Sequence, residues 1–227
     1  MIWDHLVRFL GSANTRDQVL GYLAEHIYLA LLPVLLGTVF AVLAAWLARS
    51  WRPARITAVA GANVLYTLPS LALFVLVPSL IGTSIVASIN IVIVLTIYIT
   101  ASLVRPVLGA LDAVEPHVLA AADAVGYRPA GRFFAVELPL AVPVLGSGVR
   151  VAAVTSISLV SVGALIGSGG LGVLFTDGFR RDYFAPIIVG IVLTVLLALV
   201  VDLLVVWLRR MLTPWERAGT RVEVDAA

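Results

Sequence analysis

The sequence predicts an all-α membrane protein with five transmembrane helices, and two observations predict it: the composition and the length of the apolar runs. Hydrophobic residues make up 61% of the 227 residues and charged residues 12%, whereas soluble domains average about 25% charged residues. A helix that crosses a bilayer needs about 20 largely apolar residues. Because lipid offers the backbone no hydrogen-bond partners, apolar runs of that length indicate helices rather than barrel strands.

Five runs in the chain reach the required length. They cover residues 27–48, 56–80, 85–104, 144–166 and 186–208. The second run contains Pro69 and Pro78, which we expect to kink or break the helix because proline lacks a backbone N–H and clashes with the preceding turn. Such a break is tolerated at membrane depth only where the backbone is buried in protein.

The arginines orient the five spans. An odd number of spans places the termini on opposite sides, and cytoplasmic segments carry an excess of Lys and Arg. If the N-terminus is outside, the cytoplasmic segments hold ten arginines: Arg49, Arg52, Arg55, Arg105, Arg128, Arg132, Arg209, Arg210, Arg217 and Arg221. The external segments hold four: Arg8, Arg16, Arg180 and Arg181. We therefore predict an external N-terminal segment, a membrane domain with a long cytoplasmic loop, and a cytoplasmic tail, at residues 1–26, 27–215 (loop about 105–143) and 216–227.

The composition also excludes several classes of function. The absence of cysteine rules out disulfides, iron–sulfur clusters and thiol nucleophiles. His5, His26 and His117 lie far apart in sequence, so no metal site is expected. Every basic residue is an arginine, so the chain lacks the lysine of a phosphate-binding loop and is not expected to be an ATPase or to hold a cofactor. The net charge of +2 does not favour a nucleic-acid partner.

The predicted cytoplasmic loop contains a short helical hairpin. Pro116 suits the first position of a helix, residues 117–125 have high helix propensity, and Gly126 can close that helix in a left-handed conformation. A second segment, 129–137, carries Phe133 and Phe134. The hairpin either lies on the membrane surface or docks on another protein. Its alanine-rich face buries little apolar area and is not strongly basic, which favours docking.

Two charged residues fall inside predicted spans, where charge is costly. Arg150 lies about six residues from the cytoplasmic end of the fourth span, and Asp202 lies seven residues before Arg209. At about 1.5 Å of rise per residue, both sit roughly 10 Å deep from the same side. We predict a buried ion pair; the alternative is that Arg150 extends to the surface and Asp202 bonds a hydroxyl group or water.

The loop also fits a family pattern. Permease subunits of ABC importers carry a loop of the form E-A-A, three residues, G, nine residues, I, one residue, L-P. The matching residues are Ala120, Ala121, Ala122, Gly126, Val136, Leu138 and Pro139. The chain thus resembles a type I ABC importer permease. It departs at Ala120, where the pattern has glutamate, and Asp123 or Glu115 are the candidates to replace that charge.

Four further stretches resemble the glycine betaine/carnitine/choline (osmoprotectant) branch of these permeases. They are YTLPSLALF, GVRVAAV, ALIGSGGLG and RRMLTPW, at residues 66–74, 148–154, 164–172 and 209–215. Methionine-importer permeases have a similar glycine-rich stretch, so an amino-acid importer is the alternative. A stand-alone secondary transporter is disfavoured because no midplane charge is evident. A membrane enzyme is disfavoured because the chain shows no nucleophile elbow.

The resemblance implies partners and roles. It implies a second permease subunit, two cytoplasmic ATPases that hydrolyse the ATP, an external substrate-binding protein and the bacterial plasma membrane. The residues that would couple to the ATPase are Ala120, Ala121, Ala122, Asp123, Gly126, Phe133, Phe134, Leu138 and Pro139. Ser156, Ser161 and Asn90 are path candidates, although small residues such as the two serines also favour helix packing in lipid and Asn90 favours an interhelical hydrogen bond. Gly167, Gly169 and Gly170 are expected to form an outer gate or a re-entrant turn, since no strand precedes them to make a phosphate-binding loop.

Overall fold

The computed structural model describes residues 2–167 and 169–215, and every regular element within them is helical. The α-helices are α1 (Ile2–Gly11), α2 (Ala13–Arg49), α3 (Arg52–Thr67), α4 (Ser70–Ile81), α5 (Ser88–Asp112), α6 (Pro116–Ala124), α7 (Pro129–Arg132), α8 (Leu138–Gly163), α9 (Gly172–Arg180) and α10 (Phe184–Leu212). A π-helical turn (Phe133–Glu137) joins α7 to α8, and a 3₁₀ turn (Ala164–Ile166) follows α8.

Four segments of the described chain are long and apolar enough to cross a membrane singly: α2, α5, α10 and the stretch Pro129–Ile166 that contains α8. The second predicted span is a pair of helices instead, because α3 and α4 meet at 104°. The bend lies at Pro69, which cannot donate a backbone hydrogen bond and keeps Leu68 extended, with ψ 135°. The break predicted at Pro69 is confirmed, whereas Pro78 lies inside α4. The count is therefore four spans, or five if the bent pair is one.

Helix α2 begins well before the first predicted span. Its 37 residues start at Ala13 rather than at residue 27, and at about 1.5 Å per residue it is about 55 Å long. The hydrocarbon core of a bilayer is only about 30 Å thick, so α2 continues beyond it. Hydropathy locates only the apolar part of a helix. The residues at the start of α2 include polar ones, so hydropathy did not assign them to the helix.

Helix α5 forms the centre of the bundle and packs against α2, α3, α4 and α8. Its buried face includes Ile91, Leu95 and Ile99, none of which is accessible to solvent. Gly37 lets α2 approach α5 closely, because a Cβ atom there would lie 2.7 Å from Ile99 Cγ2. Close backbone approach at a small residue is the usual way in which membrane helices pack.

The bundle has two distinct ends. At the hairpin end, the C-termini of α2 and α10 lie near α6, α7 and the start of α8, as contacts of Arg49 with Glu137 and of Arg209 with Gly146 show. At the glycine-loop end, α1, α9 and residues 169–172, which with Gly167 we name the glycine loop, surround the first part of α2. The functional residues divide between these two ends and a cleft that lies between them.

Candidate functional site

The hairpin has the local structure that its sequence predicts. Helix α6 begins with Pro116 at its first position, after an extended Glu115. Gly126 follows α6 with φ 95°, in the left-handed region where a side chain is strained. Helix α7 begins with Pro129, and the chain enters α8 through the π-helical turn. The second arm of the hairpin therefore runs without a break into α8, a membrane-spanning helix.

A network of ion pairs braces the hairpin against α2. Glu137 in the π-helical turn is 1% exposed and accepts hydrogen bonds from Arg49 Nη1 of α2 and from Arg132 Nε, the latter at 2.8 Å. Arg132 Nη1 also donates to Asp123 Oδ2 of α6 at 2.5 Å. One buried carboxylate thus connects both arms of the hairpin to the end of a transmembrane helix. We name Arg49, Asp123, Arg132 and Glu137 the hairpin network.

Aromatic packing anchors the second arm. Phe133 is fully buried, and its ring centroid lies 5.4 Å from that of Trp46 on α2 and 5.0 Å from that of Phe134. Phe134 is 56% exposed, although it also lies beside Trp46. The anchoring role expected of both residues is therefore carried mainly by Phe133.

The outward face of the hairpin is small and apolar. Val125 is 81% exposed and Tyr127 45% exposed, and Ala120 and Ala121 are exposed beside them. We name these four residues the hairpin surface. Ala122 is buried instead, so it packs inside the chain and is not positioned to contact another protein, contrary to the role expected of it. Leu138 and Pro139 are half-buried at the start of α8 and belong to its packing.

The carboxylates nearest Ala120 are already engaged within the hairpin. Asp123 bonds Arg132, and Glu115 Oε2 lies 3.0 Å from Nδ1 of His117 two residues later. Asp123 therefore supplies an internal brace between α6 and α7, one turn away from the position at which the pattern has glutamate.

At the opposite end, the glycine loop closes over two residues of α2. Gly170 N donates to Glu25 Oε2 at 2.9 Å, and Leu171 N donates to His26 Nδ1 at 3.1 Å. His26 is fully buried, and its Nε2 lies 3.0 Å from the carbonyl oxygen of Ile157 on α8. Because Nδ1 accepts, the proton is assigned to Nε2, which donates to Ile157. His26 thus joins α2, α8 and the loop.

The loop glycines fit this arrangement closely. Gly167 and Gly170 have φ values of 88° and 79°, which favour glycine. A Cβ atom on Gly169 would lie 1.9 Å from Glu25 Oε2, so this position needs glycine while the carboxylate stays in place. An outer-gate role for these glycines remains a prediction, and the structure adds Glu25 and His26 as the residues that hold them.

We expect His26→Phe to lower the melting temperature of the purified protein by several degrees. The substitution keeps a ring of similar shape but leaves the buried Leu171 N–H without an acceptor, which costs about 1–3 kcal/mol. His5→Phe is the matched control, since His5 is exposed and packs edge-on against Tyr183, a contact that phenylalanine can keep. Equal melting temperatures for the two variants, measured by differential scanning fluorimetry, would contradict this assignment.

The two charged residues of the spans face one another. Arg150 Nη2 of α8 donates to Asp202 Oδ2 of α10 at 2.6 Å, and Arg150 Nε donates to Oδ1. The geometry is bidentate, as is common where a planar guanidinium group bonds a carboxylate. The arginine is 51% exposed and the aspartate 18% exposed within this single chain, so the pair lies at the surface of the bundle rather than in its interior.

We expect a double-mutant cycle on Arg150→Ala and Asp202→Ala to show measurable coupling, because substitutions of residues in direct contact are not additive. Each single variant leaves a charge without its partner, so the second substitution should cost less than the first. Stability is measured by thermal denaturation of the four proteins in the same lipid–detergent mixture. Additive losses would show that the pair contributes nothing.

The three path candidates do not share one surface. Ser156 is fully buried, and its Oγ donates to the carbonyl oxygen of Ala30 on α2 at 2.8 Å. Asn90 is also fully buried; its Nδ2 donates to Ser84 O at 2.7 Å, and its Oδ1 accepts from Thr83 Oγ1 at 2.6 Å. Asn90 therefore organises the loop between α4 and α5 rather than bonding along a second helix. Ser161 Oγ is buried without a partner among the described residues.

A polar cleft that the sequence did not reveal lies between α3, α5 and α8. Its volume is about 560 Å³, and among its lining residues are Asn63, Tyr66, Ser102, Arg105, Ser147 and Thr155. Tyr66 packs against Tyr98, with ring centroids 4.9 Å apart. A larger groove of about 720 Å³ between α2, α3 and α5 is lined almost wholly by apolar side chains. We name the first of these the polar cleft.

Sequence comparison finds relatives over almost the whole chain. Residues 29–214 match the family described as binding-protein-dependent transport system inner membrane component. The chain is 30% identical over 210 residues to the choline transport system permease protein OpuBB of Bacillus subtilis (strain 168), covering 92% of this chain and 94% of the relative. It is 34% identical over 201 residues to the osmoprotectant import permease protein OsmW of Salmonella typhimurium (strain LT2), covering 86% and 93%.

A solved structure shares the fold. The chain superimposes on a permease chain from inward-facing conformations of the MetNI methionine ABC transporter with a TM-score of 0.78. The match covers 89% of this chain and 99% of the other, at 22% sequence identity. At that identity the likeness establishes the arrangement of helices and carries no information on the transported molecule.

Proposed function

Because the chain belongs to the family of binding-protein-dependent transport system inner membrane components, we propose that it forms the translocation path for a quaternary-ammonium compatible solute such as glycine betaine, choline or carnitine. It is a permease subunit of an ABC importer and not itself an enzyme. The family membership inferred from the loop spacing is thereby confirmed. The observation that carries the solute class is that relatives aligned over 86–92% of this chain are permeases named for choline and osmoprotectants.

The proposed assembly contains a second permease subunit, two cytoplasmic ATPases and an external binding protein, in the plasma membrane of a bacterium. The hairpin surface supplies the docking element for an ATPase, because exposed alanines beside Val125 and Tyr127 allow close packing of another helix or groove. The hairpin network supports this role, because it ties the docking element to α2 and α8. Movement of a docked ATPase would then be passed to the spans as rigid bodies.

We propose that the hairpin end faces the cytoplasm and the glycine-loop end faces outward. Arg49, Arg55, Arg132 and Arg209 all lie at the hairpin end, which agrees with the excess of arginine expected on the cytoplasmic side. In this orientation the glycine loop, held by Glu25 and His26, faces the side from which the binding protein delivers its solute.

We place the translocation path along the polar cleft. Its hydroxyl and amide groups can replace water around a small zwitterion, and the exposed ring of Tyr66 can contact a quaternary ammonium group through its π face. Within the described chain, Tyr66 and Tyr98 form a pair rather than a closed aromatic cage. A weak site of this kind lets the solute leave as well as enter the path. The binding protein would supply most of the selectivity for the solute.

The test is uptake by proteoliposomes that contain the permease, its ATPase and its binding protein. We expect ATP-dependent accumulation of radiolabelled glycine betaine, choline or carnitine, and none of methionine. Accumulation of methionine alone would overturn the solute class, and uptake without the ATPase would overturn the importer mechanism. Tyr66→Ala should reduce the uptake rate about tenfold while leaving assembly with the ATPase intact, by loss of a desolvated cation–π contact.

A further inference from the structure

A small basic pocket lies between α8 and α10 near the hairpin end, and it shares the lining residue Ser147 with the polar cleft. Its volume is about 220 Å³, and it is lined by Gly146, Ser147, Arg150, Val205, Val206, Arg209 and Arg210. On α10, residues 202, 205, 206 and 209 follow the three- and four-residue spacing of one helix face. On α8, residues 146, 147 and 150 do the same, so each helix presents one arginine-bearing face to the pocket.

The arginines of the pocket differ in their partners. Arg150 is held by the carboxylate of Asp202. The Nε of Arg209 is buried, and no described residue accepts a hydrogen bond from it. A buried donor without an acceptor is costly, and a guanidinium group without a carboxylate favours an anion. The pocket therefore contains a positive charge and a directed donor, Arg209 Nε, that residues 2–167 and 169–215 leave unmatched.

The position of Arg209 is fixed by packing rather than by a polar partner. Its aliphatic stem lies across Gly146, where a Cβ atom would be 2.9 Å from Arg209 Cδ. The absence of a side chain at Gly146 lets the stem lie flat on α8 and points the guanidinium into the pocket. Arg209 lies three residues from the end of α10 and directly after the apolar run 186–208, where we expect a spanning helix to meet the lipid head groups.

We propose that this pocket binds a phosphate group, and that the group is the head-group phosphate of an anionic phospholipid from the adjacent leaflet. Arg209 donates to the phosphate oxygens, with Ser147 beside it in the lining of the pocket, while Arg150 stays paired with Asp202. The lipid completes the hydrogen bonding of Arg209 and fastens α10 to α8 at the hairpin end. This inference does not depend on which solute the importer carries.

The experiment uses the purified permease–ATPase complex, delipidated and returned to nanodiscs of phosphatidylcholine with or without phosphatidylglycerol. Native mass spectrometry counts the lipids that each complex retains. We expect the unaltered complex to retain phosphatidylglycerol selectively and Arg209→Gln to lower that retention about tenfold, the loss of one charged hydrogen bond. Arg52→Gln, an exposed arginine at the same end, is the matched control and should retain the lipid as before.

Two further arms make the result decisive. Ser147→Asp places a carboxylate at the pocket without removing Arg209, and it should also abolish selective retention, which separates repulsion from misfolding. In detergent without lipid, titration with inorganic phosphate tests for a free anion. Binding of phosphate that depends on Arg209, without lipid selectivity, would assign the site to the soluble ion. Equal lipid retention by Arg209→Gln and Arg52→Gln, with no phosphate binding, would overturn the proposal.

Discussion

Ala121→Glu is expected to abolish solute-stimulated ATP hydrolysis by the assembled importer while leaving the permease folded in the membrane. Ala121 is exposed on α6 beside Val125 and Tyr127, so the longer charged side chain points outward and disturbs no internal contact. A protein groove that fits alanine would have to bury an unpaired carboxylate, which costs several kcal/mol. The measurements are co-purification of the ATPase and its hydrolysis rate with binding protein and solute present.

The matched control for this prediction is Ala13→Glu. Ala13 is also exposed and begins α2 at the opposite end of the bundle. Ala13→Glu therefore makes the same chemical change away from the hairpin. We expect Ala13→Glu to co-purify with the ATPase as the unaltered protein does. If Ala121→Glu kept full stimulated hydrolysis, the hairpin surface would not be the site at which the ATPase docks.

Glu137→Ala is expected to destabilise the hairpin end more than the same change at any other acidic residue of that end. The substitution removes a carboxylate that is 1% exposed and serves two arginines. Removing one partner of a buried ion pair costs roughly 3–5 kcal/mol, which corresponds to a melting temperature lower by about 6–20 °C for a chain of this size. Thermal denaturation of the purified permease measures the change.

The control for Glu137 is Asp112→Ala. Asp112 pairs with Arg55 at the same end of the bundle, but both side chains are more than 40% exposed, and exposed pairs contribute at most about 1 kcal/mol. We expect this variant to melt within about 3 °C of the unaltered protein. A similar loss from both variants would show that solvent reaches the hairpin network and that burial does not set its strength.

Features that depend on nearby residues were predicted well from the sequence. Pro116, Gly126 and Pro129 determine the hairpin through backbone restrictions that act within one or two residues, and Pro69 breaks its helix for the same reason. Arg150 and Asp202 were brought together by a depth argument, since the start of α8 and the end of α10 lie on the same side. These inferences need only the chain direction and the rise of a helix.

Features that depend on residues far apart in the sequence could not be predicted from it. Arg49 and Glu137 are 88 residues apart, and Glu25 and Gly170 are 145 residues apart, so no spacing rule links them. Ser156 was a candidate for the translocation path because hydroxyl groups often line such paths. Its hydroxyl group instead donates to the carbonyl oxygen of Ala30, and a hydroxyl group bonded in this way serves helix packing. The rotation of each helix about its axis decides between those roles, and hydropathy does not specify that rotation.

The bend between α3 and α4 bears on how this protein enters the membrane during synthesis. Helix α3 has 16 residues and α4 has 12, so their lengths are about 24 and 18 Å, and neither matches the thickness of the hydrocarbon core. Neither arm is an autonomous insertion signal. Each stays in the bilayer because it packs against α5, so the bent region is threaded correctly only when the segment that follows it has been made.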